Sequence, residues 1–550
     1  MNKDNYVQYF ETSIRDNWEL NALSDYQGKT LTYAQIGRQI LALHKIYIKI
    51  GIKRGEKIAV VGGNTVNWAI IYLSAITYGA VIVPILPDFH SDDIHHIVNH
   101  SDAVLLFLSQ FHYDQIDEEK MPALLGLVKL EDFTVLFEQK KHLKNSLSQL
   151  FSEFLYASDF KPTPGDIKFE KVENELLAAI VYTSGTTGLS KGVMLSHNCM
   201  LANLLYAREN MPLNRGNNIL SFLPLAHAYG CAFEFLFPFT VGCHVTFLGK
   251  IPSPKVIVKA FNEVKPELIL SVPLIIEKIY RKQLKPIINK EPMKTLLHLP
   301  VINSVIGAKI NKKLSSAFGN NFRELVLGGA AFSPEVENFM RKIKFPYTIG
   351  YGMTECGPLI SYASWKTTKQ ASVGKVVDWL EIKVDSPDPA KVIGEVMVRG
   401  ESVMDGYYKN EEATQKTFTA DGWMHTGDLG IIDKDGFIFL TGRKKNMILG
   451  SSGHNVYPEE LEARLNNMPF IMESLVIDRE GKLIALVYPD FVETNTNDIN
   501  DSQLIKRMEE NRTKINDKLP AYSKIAAIEL IPEEFVKTPT NKVKRYLYAK

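Results

Sequence analysis

Residues 182–192 read Tyr-Thr-Ser-Gly-Thr-Thr-Gly-Leu-Ser-Lys-Gly, a string in which hydroxyl and glycine residues crowd around one lysine. The apolar run LLAAIV precedes it, so a strand delivers a loop whose backbone N–H groups and hydroxyls suit phosphate oxygens, with Lys191 supplying charge. It is not a Walker A loop, because the Gly-Lys-Ser/Thr ending is missing. A plain turn explains any three of these residues but not the whole string. Further along, Gly350, Gly352 and Gly357 lack the G-x-G-x-x-G spacing of a dinucleotide loop, which argues against a nicotinamide cofactor. Thr354 and Glu355, at the end of a strand-like run, instead offer a hydroxyl for a phosphate and a hard oxygen for Mg²⁺. Asp428, between Gly427 and Leu429, has the geometry to hold two ribose hydroxyls, the alternative being a solvated turn aspartate.

Other polar clusters read more simply. The DKDG at 433–436 lacks the remaining acids and closing Glu of a calcium loop and predicts a hairpin turn. Asp92, His96 and His100 fall at i, i+4 and i+8 behind a Ser91 cap and share a helical face; with no third ligand beside the histidines, an exposed face is the expectation, not a metal site. The basic run Lys140-Lys141-His142-Leu143-Lys144 reads as solvated surface.

The elements that must position these residues alternate. Up to about Lys250 apolar strands and amphipathic helices succeed one another, as in IAVVGG, NTVNWAIIYLSAITYGA and VIVPIL, the pattern of parallel sheets covered by helices. A second such set runs through 268–273, a helix at Leu274 to Gln283, 324–330 and 345–352, so two doubly wound lobes are expected. Short strands and turns from about Ser372 to Leu440 predict a β-rich unit, and an α+β tail follows. In that tail a helix opens at Pro458, strands span Ser474 to Ile477, Leu483 to Tyr488 and Ile525 to Ile531, a polar linker lies near Thr494 to Asp501, and a helix spans Leu504 to Lys518. The major boundary falls near Gly442 to Lys445. The charge-free stretch Ile58 to Pro87 is broken by Gly79 and Pro84 and reads as strand, helix and strand, not as a membrane span.

Composition bounds the function classes. The chain has 550 residues, roughly three to four domain-sized units, and 63 Lys plus Arg against 62 Asp plus Glu leave a formal charge of +1. That balance excludes partners found by bulk charge, such as duplex nucleic acid. Only Cys199, Cys231, Cys243 and Cys356 occur, without a close pair, and the N-terminus lacks the apolar core of a signal peptide. A cytoplasmic location follows, with peripheral membrane association left open.

The string 182–192 resembles the phosphate-binding signature of the adenylate-forming (AMP-binding) superfamily, which includes acyl-CoA synthetases, peptide-synthetase adenylation domains and firefly luciferases. The resemblance then runs through nearly the whole chain in order. Leu225-Ala-His227-Ala-Tyr229-Gly230 is similar to the segment ending near the acyl pocket. Gly328-Gly329-Ala330-Ala331 and Gly350-Tyr351-Gly352-Met353-Thr354-Glu355 are similar to the adenine and magnesium segments. Thr426-Gly427-Asp428 resembles the ribose-binding aspartate, Gly442-Arg443-Lys444-Lys445 the interdomain hinge, and the segment around Lys542 the final lysine motif. Three positions depart from the usual pattern: Asn541 for glycine, Cys356 for Thr or Ser, and Asn446 for Asp.

The resemblance implies an α/β fold with a large domain over 1–442, its two doubly wound lobes joined by a β-rich subdomain at about 372–442, and a mobile α+β domain over 443–550. It implies ATP, Mg²⁺ and coenzyme A. Thr183, Ser184, Gly185, Thr186, Thr187, Gly188 and Lys191 would cradle the β and γ phosphates, and Gly329, Ala330, Gly350, Tyr351 and Gly352 the nucleotide. Thr354 would contact the α-phosphate, Glu355 hold Mg²⁺, and Asp428 and Arg443 anchor the ribose. Lys542 would bridge the carboxylate and α-phosphate, His227, Tyr229 and Gly230 would border the acid, and Lys445 would be the hinge. The expected substrate is a long-chain fatty acid, because LPLAHAYGCAFEFLFPF sets an apolar helix, ended by Pro238, beside the site. An aryl or medium-chain CoA ligase and an acyl carrier protein ligase are the alternatives. A non-catalytic ATP-binding regulator, from a different class, would keep the phosphate loop without needing Lys542.

Overall fold

In the computed structural model, the charge-free stretch near the N-terminus folds around a parallel strand pair. Lys57–Val61 and Val81–Ile85 lie side by side, joined by the helix Val66–Tyr78. Thr65 caps that helix, its hydroxyl accepting from the Trp68 N–H, and Gly79 ends it. Every residue of the helix up to Thr77 is buried, so its all-round hydrophobicity reflects a central position in the body of the protein. The structure describes residues 4–139, 146–155, 161–183, 190–249, 254–288, 300–449, 455–538 and 542–548. Among these, no helix is long and apolar enough to cross a membrane.

The strand pair sits inside an eight-stranded sheet. Its order is Gly406–Tyr407, Lys191–Ser196, Leu177–Thr183, Val81–Ile85, Lys57–Val61, Ala103–Leu108, Gly126–Lys129 and Val135–Glu138, parallel in the middle and antiparallel at both edges. A second sheet runs Asn218–Ser221, His244–Phe247, Asn21–Asp25, Thr30–Thr32. Through the Glu267 N–H, which donates to the Asn218 carbonyl at 3.1 Å, it continues toward the parallel strands Leu268–Ser271, Glu324–Leu327 and Tyr347–Ile349. The two doubly wound lobes are present, but their strands are not divided at Lys250. The N-terminal hairpin belongs to the second sheet, and Gly406–Tyr407, from the β-rich stretch, closes the edge of the first.

The β-rich unit is an antiparallel sheet of Leu380–Asp385, Gly394–Gly400, Met424–Ile432 and Ile438–Arg443, the last two joined by the DKDG turn. Beyond the short 3-10 turn Lys444–Asn446, the tail packs the helices Pro458–Leu465 and Asp501–Asn516 on the strands Ile471–Arg479, Lys482–Pro489 and Ile525–Leu530. Where a polar linker was expected near 494–501, Asp490 caps a short helix, Phe491–Thr496, because its carboxylate accepts from the Val492 and Glu493 N–H groups. One hydrophobic core extends from Tyr6 to Met424, and two smaller ones lie between Val456 and Phe535.

Two local expectations need correction. The helix Ser91–Ser101 takes His90, not Ser91, as its N-cap, and no side-chain bond caps it; Asp92 and His96 do lie on its exposed face. The helix after Tyr229 does not stop at Pro238. It widens into a π-helix over Cys231–Leu236 and continues through Phe237–Val241. A proline clashes with the preceding turn of a regular α-helix; in this chain the turn ahead of Pro238 is a π turn, and the helix passes through.

Candidate active site

Three antiparallel strand segments bring the polar cluster together. Tyr351 pairs across from Ser361, and Asp428 stands opposite Arg443 on neighbouring strands. Asp428 is buried; its Oδ1 forms an ion pair with Arg443 Nε at 2.9 Å and its Oδ2 accepts from the Tyr351 hydroxyl at 2.7 Å. Burial pushes the Asp428 carboxyl above its ordinary value, against the opposing pull of Arg443, Tyr351, Lys542 and Lys445. Each carboxylate oxygen retains a second lone pair, so the pairing leaves acceptor capacity for hydroxyls.

Lys542 reaches this cluster from the end of the chain. A β-bridge between Lys537 and Val543 folds the segment back, with the Thr538 N–H donating to the Lys542 carbonyl at 2.8 Å and the Lys542 N–H to Thr538 Oγ1 at 3.2 Å. Lys542 is solvent-exposed as a residue, yet enough protein surrounds its ammonium that desolvation, then Arg443, lowers it below its usual value; Glu355 and Asp428 pull it back. His227 lies within the field of the same lysine. Burial, then Lys542, lowers its imidazole to about 4, and its Nδ1 accepts from the Tyr229 N–H at 3.3 Å. Lys445 is lowered by burial, Arg443 and Lys542. Asp428, Arg443, Lys445, Lys542, Glu355 and His227 therefore share one electrostatic environment, although they span more than 300 positions of sequence.

Thr354 is buried and Glu355 half-buried in the turn Thr354–Cys356. The Tyr407 hydroxyl donates to Glu355 Oε1 at 2.9 Å, and among the described residues the carboxylate has no further hydrogen bond. Lys191 opens the strand after the phosphate loop, facing Thr183 across the ladder, and its ammonium lies 4.8 Å from the centre of the Tyr407 ring. Ser184, Gly185, Thr186, Thr187 and Gly188 lie outside the described residues, as do Lys140 to Lys144 and Asn541. At the root of the loop, the Tyr182 hydroxyl bonds His100 Nδ1 at 2.7 Å, so His100 turns away from the solvated face toward the site.

On the other side of the cluster, Tyr229 donates to the Val326 carbonyl at 3.1 Å and lies under Gly328, just before the exposed Gly329 and Ala330; Gly350 is half-buried and Gly352 exposed. Gly230 is buried where a side chain would come within 2.8 Å of the Pro224 carbonyl, so it permits close packing and leaves no slot of its own. Cys231 and Ala232 do line an apolar cavity of about 20 Å³ with Tyr72, Pro84, Leu225 and Leu236, while Phe233, Phe235 and Phe237 pack fully buried.

Two contributors escaped the sequence reading. Tyr407 lies in a two-residue strand whose GYY reads as part of a turn, and no sequence signal marks it; Tyr407 faces Glu355 while the adjacent Tyr408 faces Asp102, donating to Oδ2 at 2.8 Å. Glu395 is buried beside the proposed hinge, its Oε2 2.8 Å from Lys444 Nζ and 3.0 Å from His425 Nδ1. An acid beside the apolar run Val396-Met397-Val398 gives no cue to its partner.

Comparison with known proteins bears on this assembly at family level. The family described as AMP-binding enzyme matches residues 10–408. The chain belongs to that family. The long-chain-fatty-acid–CoA ligase FadD15 of Mycobacterium bovis is 27% identical, the match covering 94% of this chain and 90% of that protein. 4-Coumarate–CoA ligase 1 of Narcissus pseudonarcissus is 26% identical over 95% and 89%. The crystal structure of the anthranilate CoA ligase AuaEII in complex with anthranoyl-AMP superposes with a TM-score of 0.78 at 20% identity, covering 99% and 96%. CoA ligases of the AMP-binding family use ATP, Mg²⁺ and CoA. In this AMP-binding enzyme the donor set fits Mg²⁺. Glu355 offers one oxygen outside its Tyr407 bond, and Mg²⁺ takes one or two carboxylates plus substrate phosphates and water.

Proposed function

We propose that this adenylate-forming acid–CoA ligase activates a long-chain fatty acid, with residues 1–442 binding ATP and acid and residues 443–550 forming a domain that turns about Lys445 between half-reactions. One observation carries the reading: Lys542, from the far end of the chain, enters the field of Asp428, Arg443, Glu355 and His227. A carboxylate resists attack until one oxygen becomes a leaving group. Its oxygen therefore attacks the α-phosphorus of ATP in line, the bond to the β-phosphate oxygen breaks, and pyrophosphate leaves with the electron pair. The CoA thiol then loses its proton, attacks the acyl carbon and displaces AMP.

Positioning and charge neutralisation carry the first step. Lys542 bridges the acid and α-phosphate oxygens, and Thr354 contacts the same phosphate. Lys191, with the hydroxyls of 183–187, holds the β and γ phosphates; Asp428 and Arg443 hold the ribose. Bound at Glu355, Mg²⁺ would neutralise phosphate charge. Neutral His227 borders the acid without competing with Lys542 for its charge.

The apolar side chains beside Cys231 and Ala232 support an acid with an apolar end, alkyl in the first reading and aryl in the second; the cavity they line, about 20 Å³, is water-sized and has to widen for either. Pyrophosphate release, measured from acetate to stearate and with benzoate, tests both, run with CoA and separately with an acyl carrier protein. A rise with chain length to a plateau, with CoA as acceptor, is expected. A maximum at acetate or benzoate, or transfer only to the carrier protein, overturns the long-chain reading. No pyrophosphate release with any acid of the panel would leave the non-catalytic ATP-binding regulator.

A further inference from the structure

Tyr407 touches two groups that the adenylation reading uses, and that reading gives it no task. Its position is tightly fixed. Gly406–Tyr407 pairs antiparallel with Val193 and Met194 on the strand that begins at Lys191. The Tyr407 N–H donates to Thr414 Oγ1 at 2.9 Å, and two residues before the strand the Met404 N–H donates to the Glu355 carbonyl at 2.8 Å. Gly406 takes φ +136°, and a Cβ there would meet Thr414 Cγ2 at 2.8 Å, so the approach of this segment depends on glycine. The segment belongs in sequence to the β-rich stretch, yet it crosses back to cap the edge of the eight-stranded sheet, between the strand that begins at Lys191 and the Thr354–Cys356 turn.

We propose that Tyr407 is a positioning residue for the phosphate end of the ATP site: its hydroxyl orients the Glu355 carboxylate and its ring seats the Lys191 ammonium, presenting the metal ligand and the phosphate cation together. The hydroxyl donates to Oε1 and leaves Oε2 without a hydrogen-bond partner among the described residues. The buried ring holds the ammonium 4.8 Å from its centre by its quadrupole and leaves the lysine N–H groups for phosphate oxygens. A carboxylate held by an outer hydrogen bond does not pay orientation entropy when it takes up the ion, and such partners commonly carry about tenfold or more in metal affinity. The inference rests on the assignment of Glu355 to Mg²⁺.

The experiment separates the two claims. In the full-length enzyme, Tyr407→Phe deletes the hydroxyl and keeps the ring, while Tyr407→Leu deletes both; Glu355→Gln and the Tyr407→Phe/Glu355→Gln double variant complete a cycle. The readouts are the Mg²⁺ concentration for half-maximal adenylation, Mn²⁺ binding to the ATP complex followed by its paramagnetic resonance, ATP affinity at saturating Mg²⁺, and the melting temperature. Tyr407→Phe is expected to raise the half-saturating Mg²⁺ and the Mn²⁺ dissociation constant about tenfold, with ATP affinity at saturating metal and the melting temperature nearly unchanged. In the Glu355→Gln background it should add nothing to the metal dependence. Tyr407→Leu should weaken ATP as well, because Lys191 loses its seat. If Glu355→Gln shifts the metal dependence and Tyr407→Phe does not, the positioning role is overturned while the metal assignment stands. If Glu355→Gln shifts nothing, both fall. A Tyr407→Phe protein that loses activity only in proportion to a lowered melting temperature would reduce the tyrosine to a packing residue.

Discussion

The nucleotide side of the site and the helix wall beyond it both bury polar groups, and they treat them in opposite ways. Around Asp428 the groups are charged and paired: Arg443 and Tyr351 satisfy the carboxylate, and Lys542 and Lys445 add positive charge. Along Cys231–Leu236 they are kept neutral. Glu234 is fully buried, its Oε2 accepting from the Phe222 and Leu223 N–H groups at 3.0 Å each, and its Oε1 has no partner among the described residues. Burial drives its carboxyl well above the normal range, pushes the Cys231 thiol up to about 12, and lowers His197 to about 4. An unpaired charge in such a wall costs several kcal/mol, so titration gives way first. Charge organises the half of the site proposed to handle the nucleotide; shape and desolvation organise the half proposed to handle the acyl group.

The sharpest way to separate the two halves is to restrain the connection between the body and the tail. Lys445 lies in the 3-10 turn Lys444–Asn446, whose φ range suits proline, and this is the arrangement in which Lys542 reaches Asp428. Lys445→Pro is expected to leave adenylation within about twofold and to slow transfer from acyl-AMP to CoA by on the order of 100-fold, the factor matching about 3 kcal/mol of hinge bias. Separate half-reaction rates check it; equal loss of both in a folded protein would break the hinge assignment. On the wall, Ala232→Phe fills the cavity shared with Cys231 and Leu236. It should lower kcat/KM for long acids about tenfold and leave the KM for ATP unchanged, since each excluded methylene is worth up to about 0.8 kcal/mol. A parallel loss for short and long acids would place the acyl group elsewhere.

The smallest effect concerns neutrality itself. His197 is fully buried, lies 5.6 Å edge-on to Tyr6, and neither ring nitrogen has a partner among the described residues. Its folded value of about 4 lies below the ordinary 6.5. The unfolded chain therefore binds the proton first, and the stability present above pH 6.5 is lost progressively as pH falls toward 4. Between pH 7 and pH 5 the wild type should lose about 2 kcal/mol more stability than His197→Phe. Denaturation at the two pH values tests this, and identical losses would show that His197 takes up its proton while folded.

The same contrast explains what the sequence made legible. Phosphate, metal and ribose chemistry demand particular residue types, so Thr354, Glu355, Asp428 and Lys191 are readable from the sequence itself and Arg443 through the family resemblance, while the hydrophobic periods around Ile58 and Leu268 predict the central strands of the two lobes. Tyr407 did not stand out, because a two-residue strand has no period to read and its partners lie some 50 and 200 positions away. The N-terminal hairpin gave no sign of its sheet for a related reason: strand patterns report burial, not which neighbour buries them. Pro238 misled because the rule that proline ends a helix assumes α geometry, which the π turn before it suspends.

The account stands most directly on Lys542. In a stopped assay of the two half-reactions, Lys542→Ala should cut acid-dependent pyrophosphate release by on the order of 1000-fold, since it removes a charge aimed at the transition state. Supplied acyl-AMP and CoA should still give acyl-CoA within about threefold of the wild-type rate, because thiol attack does not draw on that charge. Equal loss of both half-reactions in a folded variant, or pyrophosphate release that survives the substitution, would contradict the assignment of Lys542 to adenylation and the reading of the charged cluster built around it.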